Sequence, residues 1–300
     1  MSHPVITNVT VKLSEVRDSV ELVDTHCHLD LNNFDDDREE VIERAMRNGI
    51  NRILVPGTNL SSSKQALQLA REDPMIFAAI GFQPNDTSEW QQESQSELEN
   101  LYRNHLNELD INQKRIVAIG EIGLDYYWDA APHPLQKQVL LMQLEMAAEL
   151  GLPVVLHVRE QQDLTQGPCY DDLLDILGKW KSYLDQTNHV LSSRPGVIHS
   201  FSGNLEYALE AISLGFFIGV TGPITFKSAR ERQDTIRKIE LEHLLLETDA
   251  PFLAPHPNRG KRNEPSNIRF IAEKIAELYE TSLAEVAAIT NVNAMKLFEW

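Results

Sequence analysis

Six residues of this 300-residue chain have the types and the spacing to hold divalent metal ions: His26, His28, Glu121, His157, His199 and Asp249. His26 and His28 stand two apart, so on an extended strand their imidazoles project to one side and Cys27 to the other. The six fall at the ends of apolar runs: His26 and His28 after the first, Glu121 the fourth, His157 the fifth, His199 the sixth and Asp249 the eighth. Imidazole nitrogens with carboxylate oxygens suit Zn, Mn, Ni, Co or Fe, and accept Mg more weakly. Glu121 has two carboxylate oxygens and can bridge two ions, one completed by His26, His28 and Asp249, the other by His157 and His199. One histidine at a strand end is most often a hydrogen-bonded interior residue. Four of them with two carboxylates at one end of five strands make a metal centre the better reading.

The elements that must position these side chains repeat as strand, loop, helix. Apolar or β-branched runs occupy 21–29, 52–56, 76–82, 116–124, 153–158, 196–200, 216–220 and 243–247. Amphipathic stretches follow each of them, around 37–48, 61–71, 91–109, 134–150, 170–185, 204–213, 229–239 and 266–280. Runs that barely alternate are expected of strands buried on both faces, as in a parallel sheet covered by helices. Closing eight such units predicts an α/β fold, a (β/α)8 TIM barrel over residues 21–300, with the metal site at the C-terminal ends of the strands. A doubly wound open sheet would place a glycine-rich phosphate loop after its first strand, where this chain has Thr25-His26-Cys27-His28. Residues 1–20 are expected to be an N-terminal extension with a short strand, Val5 to Val11, under the barrel. Leu283 to Phe298 is expected to be an extra helix packed on the outside, and the long stretch 160–196 a loop insertion or else a lid or partner surface.

Charge bears on the choice of partner. Lys and Arg number 27 against 45 Asp and Glu, a net −18, while 42% of residues are hydrophobic. That composition excludes disorder and low-complexity structure, and the acidic balance opposes long-range capture of nucleic acid and excludes a DNA-coating role. Without a long apolar run or a signal-like start, the expectation is a soluble cytoplasmic protein. The two cysteines, Cys27 and Cys169, form neither a disulfide framework nor a CxxC pair, and Cys27 is read as core. Seven cations nevertheless fall in loops at the metal end: Arg159, Lys227, Arg230, Arg232, Arg259, Lys261 and Arg262. A guanidinium fork matches phosphate oxygens, so Arg159 and Arg262 are the expected phosphate contacts, with His256 a weaker candidate for substrate and Glu247 for orienting the site.

Seven segments, VDTHCHLD (23–30), GEIGLDYYW (120–128), VVLHVRE (154–160), VIHSFSG (197–203), GFFIGVTGPITF (215–226), ETDAPFLAP (247–255) and RGKRNEP (259–265), occur in that order. The chain thereby resembles, from about residue 22 to its end, the TatD family of metal-dependent deoxyribonucleases within the amidohydrolase-like barrel superfamily. The resemblance implies the same six ligands, with Glu121 standing where many amidohydrolases use a carbamylated lysine. It also implies hydrolysis of phosphodiester bonds by a metal-activated hydroxide, with Glu121 bridging two divalent ions (Mg, Mn, Zn, Co or Ni) and Asp249 as general base. The expected substrates are DNA ends or oligonucleotides, and RNA as well, trimmed from 3′ to 5′ as single strands, with no membrane and no obligate protein partner. One departure stands out: the family's GxHP segment reads Gly81-Phe82-Gln83-Pro84, and Gln83 can hydrogen-bond a phosphate but cannot carry a proton. Two rival readings are a small-molecule amidohydrolase or esterase using the same metal pair, and a catalytically weakened nucleic-acid- or partner-binding barrel, for which Gln83 is the single hint.

Overall fold

Eight short parallel strands, joined to their neighbours strictly in chain order, make the inner wall: β1 (Leu22–Asp24), β2 (Ile50–Pro56), β3 (Ile76–Ile80), β4 (Ile116–Asp125), β5 (Val154–Arg159), β6 (Gly196–Ile198), β7 (Phe217–Val220) and β8 (Leu244–Leu246). The computed structural model describes residues 20–108 and 114–300; the strand expected for Val5 to Val11 lies outside the described residues. Helices α1 (Arg38–Arg47), α2 (Leu60–Glu72), α3 (Ser94–Glu108), α4 (His133–Leu150), α5 (Pro168–Gln186), α6 (Leu205–Ser213), α7 (Arg230–Ile236) and α8 (Ile268–Tyr279) follow the strands in turn, and α9 (Leu283–Phe298) ends the chain. Their starts are written locally: the Asn59, Asn204 and Ser282 side chains accept the N–H of Ser62, Tyr207 and Glu285 at the first turns of α2, α6 and α9. The (β/α)8 barrel is the expected architecture.

Closure happens just beyond the strands, and this corrects the sequence-based boundaries. β1 ends at Asp24 and β8 at Leu246, short of the runs 21–29 and 243–247. Past those ends the Thr25 N–H donates to the Leu246 carbonyl (3.0 Å), the Asp249 N–H to the His26 carbonyl (2.8 Å) and the His28 N–H to the Ala250 carbonyl (2.8 Å). Cys27 bridges Ala250 there and bonds back to β2 through its N–H and the Leu54 carbonyl (2.9 Å). The backbone that seals the barrel is therefore the backbone that carries His26, His28 and Asp249.

Two apolar layers hold the wall. Ile53, Val55, Ile80, Ile119, Leu156 and Ile218 face outward into the core shared with the helices, and Cys27 belongs to that layer. Val23, Leu54, Phe77, Val117, Val155, Phe217 and Leu245 fill the inside near the strand starts. The inner layer is stoppered by Leu297 and Phe298 of α9 with Trp300, whose ring lies 4.9 Å from that of Phe77. The helix expected on the outside thus turns its last residues under the barrel, where the Leu297 carbonyl accepts from Arg194 (3.0 Å). Phe298 is buried, and truncating a buried aromatic to alanine costs about 3–5 kcal/mol. Phe298→Ala is expected to lose that much in urea unfolding while the folded protein binds metal as before.

The stretch 160–196 holds a short loop and α5, whose Leu173, Leu177, Trp180 and Leu184 pack into the core. Among the described residues no helix is long and apolar enough to cross a membrane.

Candidate metal centre

Glu121 reaches the barrel interior because β4 is irregular. Ile119 is opposite Val154 and Ile122 opposite Leu156, three steps on β4 against two on β5. The extra residue puts both isoleucines into the outer core and leaves Glu121 pointing inward, the re-aiming that bulges produce beside functional sites. Glu121 therefore sits within its strand rather than at its end, 3% exposed, its N–H donating to the Gly57 carbonyl (2.7 Å). Gly123 follows with φ +143°, and a Cβ there would strike the His157 carbonyl oxygen at 2.0 Å.

Five of the six expected ligands converge directly. His26 Nε2 and His28 Nε2 lie 3.2 Å apart. Glu121 Oε2 is 3.5 Å from the former and 3.6 Å from the latter, and Asp249 Oδ1 is 3.8 and 3.5 Å from the same two atoms. His199 Nε2 is 3.7 Å from Asp249 Oδ1, and its ring stacks on that of His26 with centroids 3.4 Å apart. Ligand atoms thus gather as His26, His28 and Glu121 and as His26, His199 and Asp249, so His199 stands closer to Asp249 than the two expected half-sites imply. His157 joins through the other oxygen of Glu121, with Nδ1 to Oε1 at 2.8 Å.

The electrostatics favour a cation. Burial raises the pKa of Glu121, but hydrogen bonds from His157 and His26 outweigh it and hold the carboxyl well below its usual range. Burial likewise works against ionisation of Asp249 and is outweighed by His199, His28 and His26. For His28 and His157 burial opposes the charged form, yet the surrounding carboxylates push them up to about 9 and about 10. Two ionised carboxylates and imidazole nitrogens 3.2 Å apart are a donor set that fits divalent ions.

Three acidic residues position the ligands. Asp125 Oδ2 accepts from His157 Nε2 (3.0 Å) and from Asn85 (3.1 Å). Sequence reasoning passed over Asp125, although it lies four residues after Glu121 on one strand and so shares its face. Glu247 Oε2 accepts from His199 Nδ1 and from the Ser200 N–H, both at 2.9 Å, which gives that residue the orienting role considered for it. Asp24, buried under the closure, takes the Thr248 N–H (2.9 Å) and hydroxyl (2.5 Å) and so fixes the turn before Asp249. A Cβ on Gly219 would stand 2.3 Å from Glu247 Oε2. Gly219→Ala is expected to push Glu247 off His199 and to weaken metal binding about 10- to 100-fold, the usual cost of losing an outer-shell partner, as read by metal titration.

The expected substrate contacts fare unequally. Arg159 ends β5, spends only Nε on Asp163 (2.8 Å) and lies over the Tyr127 ring, 3.8 Å from its centroid. Gln83 stands after β3 with its amide beside the Asp86 carboxylate. The Arg262 fork is engaged by Asp37 (2.7 and 2.6 Å) and the Asn33 carbonyl (2.7 Å), clasping the loop after β8 to the start of α1. That ion pair holds the Asp37 carboxyl down at about 2 and gives the Arg262 guanidinium a partner within the chain. His256 is exposed in the loop after β8, and His105 of α3 is buried with Nε2 accepting the Arg115 N–H (3.1 Å).

Comparison with known proteins bears on the family and the fold. The family described as TatD related DNase matches residues 23–299. The uncharacterized metal-dependent hydrolase YabD of Bacillus subtilis is 38% identical over 277 residues, 92% of this chain and 98% of that protein. The 3′-5′ ssDNA/RNA exonuclease TatD of Escherichia fergusonii is 32% identical over 283 residues, again 92% of this chain and 98% of the relative. The crystal structure of YjjV, a TatD homolog from Escherichia coli K12, matches with a TM-score of 0.81 at 31% identity, over 94% of this chain and 99% of that one. With the family match, the barrel and nearly the whole length in agreement, the chain belongs to the TatD-related DNase family of metal-dependent hydrolases.

Proposed function

We propose that this hydrolase is a two-metal exonuclease that trims single-stranded DNA, and RNA, from the 3′ end. The observation that carries the reading is the division of Glu121, with one oxygen toward His26 and His28 and the other on His157. His26, His28 and Asp249 with Oε2 would hold one ion, and Oε1 with His157 and His199 a second. A divalent pair supplies a water ionised near neutral pH and neutralises charge that builds on a phosphodiester.

The chain's own groups do the rest. Asp249, held ionised by the three imidazoles, accepts the proton of the attacking water. Asp125 and Glu247 hold the rings of His157 and His199. To ligate through Nδ1, His157 would give up the proton on that nitrogen and keep the Nε2–H that it donates to Asp125. Arg159, whose Nε alone is engaged among the described residues, has its paired terminal nitrogens for a phosphate oxygen. The exonuclease named among the relatives supports single-stranded DNA and RNA as the substrate class.

An oligonucleotide labelled at its 5′ end and incubated with the protein and Mg, Mn, Co or Zn is expected to give a descending ladder that chelation abolishes. The same strand labelled at its 3′ end should release labelled mononucleotide first. DNA that stays intact with every metal would overturn the proposal.

A further inference from the structure

Two aromatic lips flank the metal centre from opposite sides of the barrel. Tyr127 and Trp128 follow β4 and are 36% and 53% exposed, and Phe252 and Leu253 follow β8, 51% and 38% exposed. β4 and β8 are four strands apart in a ring of eight, so these lips face each other across the opening. Large apolar side chains left in water at an active-site mouth mark a contact surface more often than scattered surface residues do.

Both lips are tied to the ligands. Asp125 accepts from His157 with Oδ2 while its Oδ1 takes the N–H groups of Tyr127 (2.9 Å) and Trp128 (3.0 Å). One carboxylate thus fixes a candidate ligand and the turn that presents the two rings. The Tyr127 and Trp128 rings meet edge to face at 4.8 Å, and the Arg159 guanidinium covers Tyr127 while lying 5.7 Å from the Trp128 centroid. Across the opening the Phe252 N–H donates to the Asp249 carbonyl (2.8 Å), and the Phe252 ring lies 6.1 Å from that of His28.

We propose that Trp128 and Phe252 form a base clamp, each offering a face on which one unpaired nucleobase stacks, with the phosphate between the two bases set against the metal centre. Aromatic faces accept any base and contribute substantially per stacked base, whereas bases paired within a duplex have no free faces. The clamp therefore selects unpaired ends without reading sequence, and it compensates for the −18 net charge by replacing long-range attraction with contact. The inference rests on the nuclease reading for its substrate, but its test separates the two.

Binding is measured by fluorescence anisotropy at saturating Mn with the protein carrying Asp249→Asn, whose turnover is expected to stay depressed under those conditions. The probes are a labelled single-stranded oligothymidylate and an abasic strand of equal length and charge. The thymidylate is expected to bind at least about tenfold more tightly than the abasic strand. Trp128→Ala should erase most of that difference without weakening abasic binding, Phe252→Ala should erase part of it, and Trp128→Phe should restore it. Equal binding of the two strands, or equal losses on both from Trp128→Ala, overturns the clamp, as does absence of binding. Base-dependent binding by the variant together with intact DNA in the wild-type digestion would keep the clamp and refute the nuclease.

Discussion

Glu121→Gln is expected to lower kcat by about a thousandfold or more and to reduce tightly bound metal from two ions per chain to one or none. Glutamine keeps the volume of the side chain but offers one neutral oxygen in place of two anionic ones, so it cannot serve both sides of the site. Every other expected ligand touches this carboxylate or a histidine that does: His26 and His28 at 3.5 and 3.6 Å, His157 at 2.8 Å. The barrel should survive, because Glu121 takes no part in either apolar layer and its backbone bond to Gly57 is independent of the side chain. The checks are single-turnover kinetics on an end-labelled strand, metal analysis after desalting, and circular dichroism. Wild-type activity with two ions bound would show that Glu121 is a bystander.

The second large effect is expected from Asp249→Asn, a loss in kcat of about 10²- to 10⁴-fold. Asp249 sits at φ +55°, a left-handed conformation that asparagine adopts as readily as aspartate, so the substitution spares the backbone. What it removes is the anionic oxygen shared among His26, His28 and His199, and with it the acceptor for the proton of water. Measured at saturating Mn, kcat should remain depressed. Recovery of wild-type kcat at high metal would reduce Asp249 to a ligand and move the general base elsewhere.

The sequence made the barrel legible because each strand is a continuous apolar run followed by an amphipathic stretch, and the ligands because four histidines and two carboxylates recur at one end of those runs. Less legible was anything set by contacts distant in sequence. His26 and His28 were expected on a strand, yet they lie past β1 in backbone that bonds to β2 and to the segment after β8. The face of Glu121 depends on an extra residue in β4, which no periodicity reveals. Arg262 carried the signal of a phosphate contact and is occupied by Asp37, 225 residues away. Asp125 was within reach of pattern reasoning, four residues after Glu121 on β4, but its part is to hold a ligand rather than to be one. The last turn of α9 reads as a surface helix until the empty lower end of a barrel shows where Phe298 and Trp300 must go.

The most direct measurement is an anomalous difference map from a crystal of the wild-type protein grown with Mn. The two-metal account predicts two peaks, one on each carboxylate oxygen of Glu121, the first among His26, His28 and Asp249 and the second beside His157. A single peak, or peaks that leave Glu121 uncoordinated, would contradict it.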